Sequence, residues 1–462
     1  MTFTAEHLYG LVLTLALVAA VGIGAARKVK NAADFTVGGH RSGTTLVAGT
    51  IIGTIIGGAS TVGTAQLAFS VGLSAWWFTL GCGLALLALG LFYARPLRAT
   101  GLETIPQYLA VNYGPAAGPI TGLASSLGIF FSLVANILSA VPLISATLSF
   151  GPVQSALLVL ALVVAYVFFG GVWGTGLVGV LKTILVFLTL AAVAWVSCQR
   201  MGGPGDFWQA FPAYPWLSIF GRGAWTDIGG ALSLIVGTLS TQTYIQAVYA
   251  ARDVATARRG AVLAALVTLP SGLPAVMAGL FMRAHHPDIA SIEALPLFIL
   301  YYLPPWFGGI ALAALLLAAV GTAAGLALGV ATMLSRDIID LPAKWRGERS
   351  QLWLNRGVVL GISFAATVFT FGNLKSLVLD WNYLSMGLRG AGIFLPLSAA
   401  VFFPGRVRRR EGVLSMVAGA GVALAWKGLF PAGIDPLYAG LAASGLVLAL
   451  GWNRGEKNTR RV

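Results

Sequence analysis

TTLVAGTIIGTIIGGASTVGTAQLAFS, residues 44–70, is long enough to span a bilayer, yet its middle is made of Gly, Ser and Thr. Leu and Val would make a sturdier helix there, since a glycine in a helix interior costs about 1 kcal/mol relative to Ala. A second stretch, DIGGALSLIVGTLSTQTYIQAVY (residues 227–249), has the same character. Small residues can simply let helices pack closely in a membrane. A break in the helix is the alternative, and it survives only where it faces protein or a water-filled cavity. Interrupted spans at matching places in two halves of a chain point to a transporter's binding site. Two such spans in one chain favour the broken-helix reading.

The rest of the sequence agrees with a membrane setting. Of 462 residues, 57% are hydrophobic and 10% charged, and the mean hydropathy is +0.85. That balance excludes a soluble domain and predicts an all-α polytopic membrane protein. About 13 transmembrane helices are expected, near residues 8–25, 44–71, 73–94, 119–149, 152–170, 174–198, 226–250, 257–282, 304–334, 354–371, 377–403, 412–430 and 434–452. The first has no Lys or Arg before it, and Arg27, Lys28 and Lys30 follow, so it reads as a span with its N-terminus outside rather than a cleaved signal peptide. With 13 spans the C-terminus is cytoplasmic. Of the 29 basic residues, 22 then fall on the inner side, five on the outer side and two, Lys182 and Arg389, within spans. This bias is the positive-inside pattern. It accounts for the net charge of +14 through contact with anionic lipids, and nucleic acid need not be invoked.

The broken spans are the second and the seventh. An odd offset of five requires that a repeat of spans 2–6 by spans 7–11 be inverted in the membrane, a 5+5 plan. The expected organisation is an N-terminal extra helix and cytoplasmic loop (1–43), a first repeat (44–200), an external loop (201–225), a second repeat (226–404), and two C-terminal helices with a basic tail (405–462). The loops 199–225 and 283–303 are rich in Pro and aromatic residues and read as ordered external caps. The two cysteines, Cys82 and Cys198, suggest neither a disulfide framework nor a metal site, and the adjacent His285 and His286 cannot easily share one ion. No HExxH or GxSxG motif and no nucleophile–base pair occurs, which disfavours an enzyme.

Several motifs in order resemble the sodium/solute symporter family, which carries proline, glucose and sialic acid. They are DFTVGGHRSG (34–43), IIGGASTVG (55–63), AFSVGLSAWW (68–77), TIPQYL (104–109, with Gln107 where the family has Glu), FFGGVWG (168–174, like its GG turn), YIQAVYAARDVATARRG (244–260) and LLAAVGTAAGLALGVATMLSRDI (316–338). The likeness covers about residues 30–405. It implies the inverted-repeat fold and a sodium ion between the first broken helix and the span at 304–334. The carbonyls of Gly53 and Ile56, the carbonyl of Ala318 and the hydroxyl of Thr322 would ligate that ion. The family's second hydroxyl position reads Gly321, and a frequent Thr-Asp pair reads Val178-Gly179. Lys182 stands about one turn further on. These departures remove oxygen donors and add a cation, which weakens the case for sodium.

All 15 acidic residues fall in loops or near span ends, so the membrane interior holds cations without acids. Arg389 is 12 residues from one end of its span and 14 from the other, at least about 18 Å at roughly 1.5 Å per residue, too far for its side chain to reach the surface. Its nearest acid in sequence, Asp380, is nine residues away. Arg389 is expected either to bind carbonyls exposed at a broken helix or to hold a substrate carboxylate. Lys182 is expected either to snorkel toward the cytoplasm or to gain and lose a proton during transport. Gly57, Gly58, Ser60, Thr61, Asn136, Thr241 and Gln242 complete the expected substrate-binding set, with ordinary interhelical hydrogen bonding as their alternative. The function expected is secondary active transport of a small anionic or zwitterionic solute across a bacterial inner membrane by alternating access, coupled to sodium and without a cofactor. Proton coupling through Lys182, or a channel or sensor on the same fold, is the alternative.

Overall fold

The computed structural model of the chain describes residues 3–26, 42–337, 348–430 and 434–453. Of the motifs above, residues 34–41 lie outside this set, as do most of the inner loop after residue 337 and the basic tail. Side chains at 168–178 are likewise not described.

Among the described residues there are helices and no strands beyond two isolated bridges, Ser42 with Ala251 and Val407 with Trp452. Eight helices are long and apolar enough to cross a membrane, and five shorter apolar helices accompany them. One expected division is not drawn. The spans expected at 152–170 and 174–198 form a single helix, Pro152–Arg200. No proline interrupts this stretch after its first residue. At roughly 1.5 Å per residue its 49 residues run about 74 Å, longer than a core about 30 Å thick, and a continuous helix crosses that core once.

Both expected breaks are present. Helix Thr44–Ile55 ends where Ile56 turns extended, at φ −78° and ψ 90°. The chain resumes as a π-turn, Ala59–Gly63, and helix Thr64–Val71. Helix Ala224–Leu239 stops at Ser240, Thr241 is extended, and helix Gln242–Tyr249 follows.

Three unbroken elements surround the breaks. Helix Ala117–Leu148 packs against both Pro305–Asp337 and Val378–Arg389. Val378–Arg389 continues through the π-turn Gly390–Phe394 into Leu395–Phe402. Arg389 therefore sits at the entry to an irregular turn, in mid-span, and it is 1% exposed. Small residues bring these elements together. A Cβ on Gly237 would lie 2.5 Å from Met386, and one on Gly128 would run into the Arg389 side chain.

The loops expected as caps are ordered. Loop 199–225 carries the short helix Pro204–Gln209 and closes onto the start of helix Trp77–Ala88: the Leu73 amide donates to the Trp216 carbonyl and the Trp77 indole to the Ile219 carbonyl. Loop 283–303 carries helix Ala294–Tyr302, where His286 bonds the Tyr302 hydroxyl and His285 stacks on Phe281. The helix Ala5–Ala26 packs on Pro305–Asp337 through Gly10 and Gly309, where a Cβ would meet backbone.

Candidate functional site

The first break is built from backbone. In an unbroken helix the Gly57 amide would bond the Gly53 carbonyl four residues back. Instead it bonds the Ser60 hydroxyl at 3.0 Å, which leaves the Gly53 carbonyl for another donor. The Gly58 amide bonds Asn136 Oδ1 at 3.2 Å. Ser60 and Thr61 both donate back to the Gly57 carbonyl. These two hydroxyls thus satisfy the break itself, which differs from the interhelical bonding weighed for them from sequence. Glycine is required by close approach: a Cβ on Gly57 would lie 2.7 Å from Thr322 Oγ1, and one on Gly58 would collide with the Ser139 side chain.

Lys182 meets this break. It is 4% exposed, and its ammonium lies 2.8 Å from the Gly53 carbonyl and 3.3 Å from Thr322 Oγ1. It does not snorkel toward the cytoplasm. The attraction is physical: the last carbonyls of Thr44–Ile55 form the negative end of a helix dipole. Two of the four oxygens that the resemblance assigns to sodium are therefore engaged by a tethered cation. At about 3 Å and an effective dielectric near 20, two unit charges repel by about 5 kcal/mol. The donor set as arranged does not fit a free sodium ion beside Lys182.

The second break is built from side chains. Ser240 donates to the Val236 carbonyl and Thr241 to the Gly237 carbonyl, covering the end of the first half-helix. Thr241 Oγ1 also accepts a bond of 2.8 Å from Arg389 Nη1. The other guanidinium nitrogens bond the hydroxyls of Ser132 (3.1 Å) and Ser385 (2.8 Å), the Ser385 carbonyl and the Met386 sulfur. Every partner is neutral. Among the described residues no carboxylate pairs with Arg389 or Lys182. Asp380, its nearest acid in sequence, lies 3.7 Å from Arg222, which also holds the buried Asp227 at 2.8 Å.

One polar chain joins the two breaks. It runs from the Gly58 amide to Asn136 Oδ1, from Asn136 Nδ2 to the Ser132 carbonyl, and from Ser132 Oγ through Arg389 to Thr241. The structure thus brings Gly57, Gly58, Asn136, Thr241 and Arg389 together, and sets Gly53, Thr322 and Lys182 as an adjoining cluster, with Thr322 Oγ1 against Gly57. Ala318 is buried one helical turn before Thr322, and Ile56 is the extended residue of the break. Gln242 is turned away. Its amide carbonyl accepts from Ile105 and its amide nitrogen donates to the Glu103 carbonyl, so it fastens the start of helix Ile105–Tyr113.

Sequence reading missed Ser132, Ser385 and Asn382. Ser132 bonds the hydroxyl of Ser385 at 2.7 Å and Asn382 Oδ1 at 3.3 Å. Helical spacing holds the available signal: Ser132 is four residues before Asn136, and Ser385 four before Arg389, so each shares a face with a residue already singled out.

The profile of the sodium:solute symporter family matches residues 35–419 of this chain. The high-affinity choline transporter 1 of Mus musculus is 27% identical over 435 residues, covering 88% of this chain and 74% of that protein. The high-affinity proline transporter PutP of Bacillus subtilis is 24% identical over 426 residues, covering 88% and 89%. Among solved structures, a substrate-bound, outward-open Na+-coupled sialic acid symporter superposes with a TM-score of 0.79 at 16% identity, covering 97% of both chains. A nucleobase–cation symport transporter superposes at 0.59 and 12% identity, covering 91% of this chain and 96% of that one.

Proposed function

Starting from its membership of the sodium:solute symporter family, we propose that this multi-pass membrane protein carries a small organic solute bearing a carboxylate by alternating access around its two broken helices. The observation that carries the carboxylate is Arg389: a fully buried guanidinium whose described partners are all neutral. Its planar fork suits bidentate recognition of a carboxylate. Thr241, which it bonds, directly precedes helix Gln242–Tyr249, and the N-terminus of that half-helix adds positive potential on the same side. Ser132 and Thr241 are the hydroxyls placed to share the solute's oxygens.

Relatives named for choline, proline and sialic acid set the range of solutes. Choline is a quaternary ammonium with no carboxylate. A cationic solute would face Arg389 with no acid to offset it, so proline-like zwitterions and sugar acids fit better.

The proposal takes the chain as thirteen crossings in a 5+5 inverted repeat, with repeats at 44–200 and 226–404. This arrangement requires the chain to reverse direction within Pro152–Arg200. The N-terminus lies outside and the C-terminus inside an inner membrane, in contact with anionic lipid. Sodium coupling is proposed on the family's ground. A second reading, proton coupling, is favoured by one observation, the placement of Lys182 on the Gly53 carbonyl.

Uptake into liposomes reconstituted with the purified protein tests the proposal. Proline, sialic acid and choline would be offered under a sodium gradient and, separately, a pH gradient. Accumulation of a carboxylate solute under either gradient is expected. Accumulation of choline alone would remove the carboxylate assignment. Gradient-independent flux far above carrier turnover would indicate a channel.

A further inference from the structure

The Gly53 carbonyl is released by the first break, because the Gly57 amide turns to Ser60 instead of back along the helix. Thr322 Oγ1 faces it from Pro305–Asp337. The group between them is the Lys182 ammonium, 2.8 Å from one oxygen and 3.3 Å from the other, buried and without an acidic partner among the described residues. The surroundings are consistent with one built-in cation. Position 321, which would offer a further hydroxyl in the related pattern, is glycine. A Cβ there would meet Tyr166 Oη at 3.6 Å and Lys182 Cδ at 3.8 Å, ordinary contact distances. The missing hydroxyl is therefore not excluded by space. The donor is absent where the lysine stem runs past.

We propose that the Lys182 ammonium is the resident cation of this position, and that the chain binds no sodium between Gly53 and Thr322. Any sodium that drives transport binds elsewhere in the molecule. A further consequence is that the position is convertible. Removing the ammonium while restoring the hydroxyl, in K182Q/G321S, recreates an oxygen cage for sodium. The inference rests on the family reading for where a cation sits. Its test measures ion binding instead of uptake, so failure of the transport reading and failure of this one are separable.

The experiment is thermal unfolding of the purified full-length protein, followed by tryptophan fluorescence, in matched sodium and potassium chloride series. A ligand that binds only the folded state raises the midpoint with concentration. In the wild-type protein, the expected result is either no sodium-specific rise or a rise that Thr322→Ala leaves intact. The double variant is expected to gain a sodium-specific rise that Thr322→Ala abolishes. A sodium-specific rise in the wild-type protein that Thr322→Ala removes would overturn the proposal, and this arm needs no change at Lys182. A folded double variant with no sodium response would also overturn it, by showing that these oxygens are not a cation position.

Discussion

The two breaks interrupt their helices by different means, yet each is met by a buried cation. The first is made of glycine backbone: it exposes a carbonyl at the negative end of Thr44–Ile55 and is met by the ammonium of Lys182. The second is made of hydroxyl side chains: it precedes the positive end of Gln242–Tyr249 and is met by the guanidinium of Arg389. At the first break the cation and the helix dipole offset one another. At the second the guanidinium meets Thr241 between the negative end of Ala224–Leu239 and the positive end of Gln242–Tyr249, so the two half-helix ends oppose one another there. The first sets its cation against the negative end of a half-helix, and on the proposed reading the second takes an anion from outside the protein.

The largest expected effect breaks the second site. Arg389→Gln should lower uptake of a carboxylate solute by about 100-fold or more, on the scale of losing one partner of a buried charge pair. Arg389→Lys should fall between, because lysine lacks the planar fork. Uptake assays on both variants check this, and equal uptake in all three proteins would remove Arg389 from the site.

The next largest separates stability from recognition. Gly58→Ala drives a Cβ into Ser139 and should cost about 1–3 kcal/mol of stability. Asn136→Ala leaves the Gly58 amide without its partner and should cost a similar 1–3 kcal/mol. Thr241→Val, at the second break, should instead weaken solute binding by roughly tenfold, the loss of one hydrogen bond to a charged group. Melting midpoints and solute titrations on the three variants distinguish the two kinds of break. The smallest effect is the control, Gly421→Ala, which enters open space on helix Arg409–Leu429 and should be neutral or stabilise by up to about 1 kcal/mol.

Much of this was legible in the sequence because membrane helices expose their exceptions. Gly57-Gly58 and Ser240-Thr241 stand out in apolar spans, and both mark the observed breaks. Arg389 stands out as a charge at mid-depth. What periodicity cannot give is direction. It set the depth of Lys182 but not that the side chain runs to Gly53. It marked Gln242 and Ser60 as polar near a break, but not that one fastens the start of helix Ile105–Tyr113 and the other closes the break on itself. Ser132 was invisible because a serine in a long apolar helix is ordinary, and only its neighbour Arg389 gives it a role. The spans expected at 152–170 and 174–198 were divided at the glycines Gly170, Gly171 and Gly174, through which the helix Pro152–Arg200 runs on. Gly-Gly weakens a helix without obliging it to stop.

The claim that the second break seeks an anion is tested most directly by solute binding to the purified protein. Melting midpoints would be measured with proline, sialic acid and choline, on the wild-type protein and on Arg389→Lys. The account predicts that at least one carboxylate raises the wild-type midpoint, that the rise shrinks in Arg389→Lys, and that choline raises neither. Stabilisation by choline, with none from the carboxylates, would contradict it.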